Sequence, residues 1–128
     1  MPTFPGNTGD VVTSAMWNGL PAFTVQTAKT ADYTAASGDE YQQLIPMNKS
    51  SAANFLIPTD VTYNFPVGTV ITVLNIASNA VTIKAVTSGT TTVLSAGAVA
   101  AQPTLAQYKS AACIKTAANA WYIVGAIG

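Results

Sequence analysis

Two neighbouring stretches decide the fold class: Thr69-Val-Ile-Thr-Val-Leu-Asn-Ile76 and Ala80-Val-Thr-Ile-Lys-Ala-Val86. Both are rich in β-branched residues, which pack well on the pleated surface of a sheet. Ala77-Ser-Asn79 lies between them and predicts a turn. We therefore expect the two stretches to form a β-hairpin.

The first stretch is apolar on both faces of the predicted strand. Val70 and Leu74 point to one side, because side chains alternate along a strand. Ile71 and Val73 point to the other side. A sandwich made by one chain buries only one face of each sheet, so the second face is expected to lie between subunits. Alternatively, Thr-rich neighbouring strands and loops of the same chain cover this second face. The last predicted strand repeats the pattern, with Trp121 and Ile123 opposite Tyr122 and Val124.

From residue 22 onward, Gly, Pro, Asn and Ser interrupt β-rich stretches every eight to twelve residues. This spacing is typical of an all-β domain, and we predict a compact antiparallel β-sandwich or barrel-like domain over residues 22–128. Its last two strands are expected to form a second hairpin around Ala117-Ala-Asn119. The predicted strands are 22–28, 41–47, 54–57, 61–64, 69–76, 80–86, 91–95, 107–116 and 120–126.

Residues 1–21 are expected to form a separate N-terminal arm, since Pro and Gly recur too often there for extended regular structure. One short helix is predicted inside it, capped by Thr13 or Ser14 and ended by Gly19. A helix of two turns is marginal by itself in water, so it must dock on its own domain or on another chain. The arm residues predicted to make that contact are Phe4, Met16, Trp17 and Leu20.

Charged residues make up 8% of the 128, and five Lys balance five carboxylates without any Arg or His. Nucleic-acid binding is disfavoured, because affinity for phosphates comes from clustered Lys and Arg. Catalysis is disfavoured as well, because the commonest general base is missing. We expect no enzyme activity, no cofactor and no metal.

Cys113 is the only cysteine, which excludes an intramolecular disulfide. Its position in a predicted strand favours a small buried hydrophobe over a reactive thiol. No stretch reaches the roughly 20 consecutive apolar residues of a spanning helix, and the N-terminus lacks the pattern of a secretory signal. The sequence therefore predicts neither a membrane partner nor export.

Several motifs of the predicted β domain resemble a β domain of tailed-bacteriophage virion proteins, found in capsid decoration proteins, head fibres and tail fibres. Phe65-Pro-Val-Gly-Thr69 is similar to the F-P-x-G-T turn that precedes a hydrophobic strand in that domain. Tyr108-Lys-Ser-Ala-Ala-Cys-Ile-Lys115, followed by Trp121 and Gly125, resembles its last two strands. Ala31-Asp-Tyr-Thr-Ala-Ala-Ser-Gly38 is similar to a turn near its start. The resemblance covers about residues 22–128.

The arm resembles a second phage element. Gly9-Asp-Val-Val-Thr-Ser-Ala-Met-Trp-Asn18 is similar to the G-[DE]-V-V-T-A-A-x-x-N segment with which many virion proteins begin. Fibre proteins usually add a long repetitive shaft, which this chain lacks. The resemblance therefore implies a compact protein attached directly to a particle.

Together these features predict a structural virion protein, a capsid decoration or cement protein on the capsid surface. Its expected partners are the major capsid protein or another virion protein, and further copies of itself, with a trimer favoured over a dimer. The alternative is a tail or fibre component, a tip or adaptor, that binds a host-surface glycan. In the β domain, the candidate interface or core residues are Ile71, Val73, Trp121 and Tyr122.

Overall fold

A computed structural model describes residues 24–41 and 44–128, which form nine β-strands in two sheets. The four-stranded sheet has the order β1-β3-β5-β7, and the five-stranded sheet has the order β2-β4-β8-β9-β6. The strands are β1 Tyr33–Thr34, β2 Leu44–Met47, β3 Ala53–Ile57, β4 Val70–Asn75, β5 Val81–Ala85, β6 Thr92–Ser95, β7 Thr104–Leu105, β8 Ser110–Ala117 and β9 Ala120–Gly125.

The all-β prediction is confirmed, and no helix occurs within the two described ranges. The predicted arm helix and the arm residues Phe4, Met16, Trp17 and Leu20 lie outside those ranges. No helix long and apolar enough to span a membrane is found in the same part of the chain.

The prediction of an antiparallel domain is wrong, because both sheets are mixed. β1, β3 and β5 pair in parallel, and so do β2 with β4 and β6 with β9. The physical reason is the path of the chain, which passes from one sheet to the other after each strand from β2 to β7. Alternate strands then run side by side in the same direction. The barrel-like alternative is also wrong, since the two sheets do not close on each other.

The hairpin predicted for residues 69–76 and 80–86 does not form. β4 belongs to the five-stranded sheet and β5 to the four-stranded sheet. Asn75, fully buried, holds the connection: its Oδ1 accepts from the Ala77 amide, and its Nδ2 donates to the carbonyls of Asn79 and Leu105. These side-chain bonds stabilise a crossing between sheets instead of a two-strand turn.

The second predicted hairpin is confirmed, since β8 and β9 pair antiparallel around Asn119, whose φ is +50°. The strand predicted at 61–64 is wrong. Residues 59–63 turn instead, with the amides of Thr62 and Tyr63 both donating to the Thr59 carbonyl.

The hydrophobic core lies between the sheets and takes the inward side chain of every second residue. Phe55 and Ile83 enter it from the four-stranded sheet. Ile71, Val73 and Trp121 enter it from the five-stranded sheet. The other face of each sheet points away from this core.

Candidate interaction surface

The outer face of the five-stranded sheet is a continuous uncharged surface. The strand registers align side chains of this face in two adjacent rows, one from the edge strand β2 to β9 and the other from β4 to the edge strand β6. Val25 extends the first row, because it bridges to Leu44 beyond the edge strand β2. The first row is Val25, Leu44, Thr72, Ala112 and Val124, and the second is Val70, Ile114, Tyr122 and Leu94. We call these nine residues the apolar face.

Much of the apolar face is accessible to solvent. Tyr122 is 47% exposed and Val124 is 50% exposed, while Val25 reaches 58%. Isolated exposed hydrophobics are common on monomers, but contiguous apolar patches typically mark contact sites. Eight of these nine side chains are aliphatic or aromatic, and the ninth is Thr72. The apolar face therefore has the composition of an interface core.

The outer face of the four-stranded sheet is different. Asn54, Thr82 and Thr104 form one row across it, and the next row consists of Thr34, Leu56 and Lys84. At its margin Asp32 accepts from the Asn54 amide and pairs with Lys49 at 3.1 Å. One sandwich therefore has one polar outer face and one apolar outer face, and only the polar one suits permanent contact with water.

A shallow groove of about 420 Å³ adjoins the apolar face at the β6–β9 edge. Leu94, Tyr122 and Val124 line it together with Ile127. The polar side chains in this lining are those of Ser95 and Tyr122, with no carboxylate or amide. The groove therefore fits an apolar side chain better than a sugar ring.

The four candidate residues of the β domain separate into two groups. Ile71, Val73 and Trp121 are at most 1% exposed and lie in the core between the sheets. Tyr122 lies on the apolar face. The structure therefore places the first three away from any surface, and the neighbours of Tyr122 along its row, Ile114 and Leu94, are surface residues that the sequence did not single out.

Lys115 is the main structural residue that the sequence analysis missed. It is 1% exposed in its side chain, and its Nζ donates to Asp60 Oδ1 at 2.8 Å, Asn64 Oδ1 at 2.7 Å and the Phe65 carbonyl at 2.6 Å. Three acceptors match the three N–H groups of an ammonium. The signal was available, because Lys115 follows Ala111 and Cys113 on the inward side of β8.

The Lys115 network joins the 59–69 loop to the β8–β9 hairpin. Asp60 Oδ2 accepts from the Asn119 amide, and Asn119 Oδ1 accepts from the Asp60 amide, each at 2.9 Å. The Gly68 amide also donates to the Lys115 carbonyl at 2.8 Å. These bonds anchor a long loop that contains two turns and no strand.

The residues that carry the family resemblance pack on this network. Phe65 contacts Trp121 edge to face, with ring centroids 5.6 Å apart. The indole Nε1 of Trp121 has no hydrogen-bond partner in the part of the chain that is described, so the ring acts there as a hydrophobic body. Gly125 lies directly over Ala111 of β8. Phe65, Trp121 and Gly125 therefore pack inside the β body.

The adjacent carboxylates of Asp39 and Glu40 both accept hydrogen bonds from other groups of the same chain. Asp39 is 4% exposed and accepts from the Tyr33 hydroxyl at 2.8 Å, the Ala36 amide at 2.8 Å and Gln26 Nε2 at 2.7 Å. Glu40 accepts from the Gly38 amide and the Tyr63 hydroxyl. These bonds fix the turn after β1.

The hydrogen bonds of Glu40 predict a loss of stability in acid. Burial raises the pKa of Glu40, but the Tyr63 hydroxyl and backbone amides outweigh it and hold the pKa below the ordinary 4.5. The ionised form is thus favoured on folding, so its contribution is present above pH 4.5 and is lost as pH falls through the lowered value. Urea unfolding between pH 7 and pH 3 is expected to show a smaller pH dependence in Glu40→Gln than in the wild type. If the free energy of unfolding changes equally with pH in the two proteins, the hydrogen bonds of Glu40 do not stabilise the fold.

No cluster of three or more His, Cys, Asp or Glu that could hold a metal ion occurs within residues 24–41 and 44–128. Cys113 is fully buried, and burial raises the pKa of its thiol to about 12. The thiol is therefore protonated at neutral pH and is a poor nucleophile.

Comparisons with protein-family models, with curated proteins and with solved structures found no match to the chain.

Proposed function

We propose that the protein is a structural component of a tailed-bacteriophage particle, a capsid decoration or cement protein at the capsid surface. The structural observation that supports a role in an assembly is the apolar face, an uncharged sheet surface opposite a polar one in the same sandwich. A surface depleted of charge suits protein contacts.

The sequence motifs are the reason for proposing a tailed-bacteriophage particle. The F-P-x-G-T turn at Phe65–Thr69 and the strand pair ending at Gly125 resemble the phage virion domain, and the segment at residues 9–18 resembles a virion attachment arm. In the proposal, residues 1–21 bind the major capsid protein or another virion protein through Phe4, Met16, Trp17 and Leu20.

Cementing would act by mass action. A protein that binds the assembled lattice and not its dissociated subunits stabilises the lattice by its binding free energy. Contacts through uncharged side chains are screened little by salt, since screening weakens interactions between charges. The attachment is therefore expected to persist at high ionic strength.

The test adds the purified full-length protein to expanded phage capsids that lack it. We expect sedimentation with the capsids in 1 M salt and a higher temperature of capsid disruption. A Met16→Asp, Trp17→Ser double variant is expected to lose attachment, because it removes two large apolar groups from the proposed arm contact. Val86→Lys, an exposed change after β5, is the matched control and is expected to attach normally.

Failure of the wild type to bind or protect any such capsid would overturn the proposal. The alternative, a tail or fibre component, predicts binding to host-envelope polysaccharide that Tyr122→Ala abolishes. The position of Tyr122, an exposed aromatic side chain beside a groove, favours this alternative. The groove lining lacks the carboxylates and amides that are typical of sugar sites, which disfavours it.

A further inference from the structure

We infer that the apolar face is the surface through which copies of this chain associate with one another. The inference rests on the geometry of the five-stranded sheet and holds whether or not the protein belongs to a phage particle. It names the nine residues of the two rows as the interface and another copy of the same chain as the partner.

The charge distribution favours a second copy as the partner. In a contact between identical faces a charge near the symmetry axis lies close to its own copy, and like charges brought together at an interface cost several kcal/mol. None of the nine residues of the apolar face is charged, so two such faces can meet in any orientation without this cost. The outer face of the four-stranded sheet carries Lys84, whose ammonium group such a contact would have to bury.

The apolar face is large enough to form the centre of an oligomer interface. Between Val25 and Leu94 it crosses six chain segments, about 24 Å at the usual strand spacing, and its two rows occupy about four residues, or about 13 Å, along each strand. Its projected area is thus about 300 Å², and protruding side chains raise the accessible area further. Specific interfaces begin at about 600 Å² per partner, so residues that flank the two rows, including those of the adjoining groove, complete the contact area.

The relief of the apolar face also suits sheet-on-sheet packing. On the central strand β8, Ala112 leaves a low area between Thr72 and Val124, its neighbours in the row. In the second row Ile114 and Tyr122 stand higher. Facing sheets pack about 10 Å apart with side chains interdigitating, so the low area at Ala112 and Thr72 can receive a large side chain of another copy.

The test measures the mass of the full-length protein by size-exclusion chromatography with light scattering, without capsids. The wild type is expected at two or three times 13.1 kDa, a dimer if two faces meet and a trimer if three close around an axis. Val124→Lys is expected to weaken association about 30-fold or more, because it buries a charge against its own copy. Val86→Lys is the matched control, since both valines are half exposed, at 51% and 50%.

Tyr122→Lys is the second variant, and thermal unfolding verifies that each variant is folded. A wild type that stays monomeric at millimolar concentration would overturn the inference. The apolar face would then be covered by residues 1–23 or by a different protein. Folded Val124→Lys and Tyr122→Lys proteins with the wild-type mass would overturn it equally, by placing the interface elsewhere. Since no capsid is present, these outcomes are independent of capsid attachment.

Discussion

Lys115→Met is expected to lower the free energy of unfolding by about 3–5 kcal/mol, the cost of breaking a buried ion pair by removing one partner. The methionine keeps most of the buried hydrocarbon stem but removes all three hydrogen bonds of the ammonium. Asp60 Oδ1, Asn64 Oδ1 and the Phe65 carbonyl then lose their donor inside the protein. A small domain is stable by only about 5–15 kcal/mol, so this loss is a large fraction of the total.

Urea unfolding followed by tryptophan fluorescence measures this loss, since Trp121 packs on Phe65 beside the network. Lys84→Met is the matched control, because Lys84 lies on the outer face of the four-stranded sheet. Surface changes of this kind stay within about 0.5 kcal/mol. Equal effects of the two variants would show that the Lys115 network contributes no specific stability.

Gly125→Ala is expected to cost about 3 kcal/mol or more, from two causes that add. The φ of Gly125 is +141°, a conformation that side-chain-bearing residues adopt only with about 1–3 kcal/mol of strain. An added Cβ would also lie 2.6 Å from the Ser110 carbonyl oxygen and 2.8 Å from Ala111 Cα. Both are backbone atoms of β8, so relief of the overlap must disturb the β8–β9 pairing, and overpacking of this kind costs about 1–3 kcal/mol.

Gly89→Ala separates the two causes. Gly89 also has a positive φ, +89°, but a Cβ added there would meet nothing within 4 Å. Only the backbone strain of about 1–2 kcal/mol is expected in this control. The difference between the two alanine variants in urea unfolding therefore measures the close approach of β9 to β8. A difference near zero would mean that the strands separate without cost.

The β8–β9 hairpin shows which part of the fold the sequence could predict. Its two strands are joined by a short turn at Asn119, so local pattern and local pairing coincide. The stretches 69–76 and 80–86 have an equally clear local pattern but belong to different sheets. The decisive contacts there come from Asn75, whose amide reaches Leu105, 30 residues away.

The candidate site could be predicted only in part, for a similar reason. Alternation along β4 and β9 shows that both faces are apolar, but does not say which face is inside. The structure decides this by placing Trp121 in the core and Tyr122 outside, next to Ile114 and Leu94. That row joins β4, β8, β9 and β6, and no sequence period connects residues so far apart along the chain.

By itself, the sequence determined the all-β class, the C-terminal hairpin and the low charge, because these depend on composition and on side-chain alternation within single strands. The tertiary structure decided the mixed sheets, the buried position of Lys115 and the assembly of the apolar face. Each of these depends on which strands become neighbours, and the free energy of that choice comes from contacts between residues distant in sequence. The structure thus shows where charge is missing: the nine side chains of the apolar face include no carboxylate and no ammonium group.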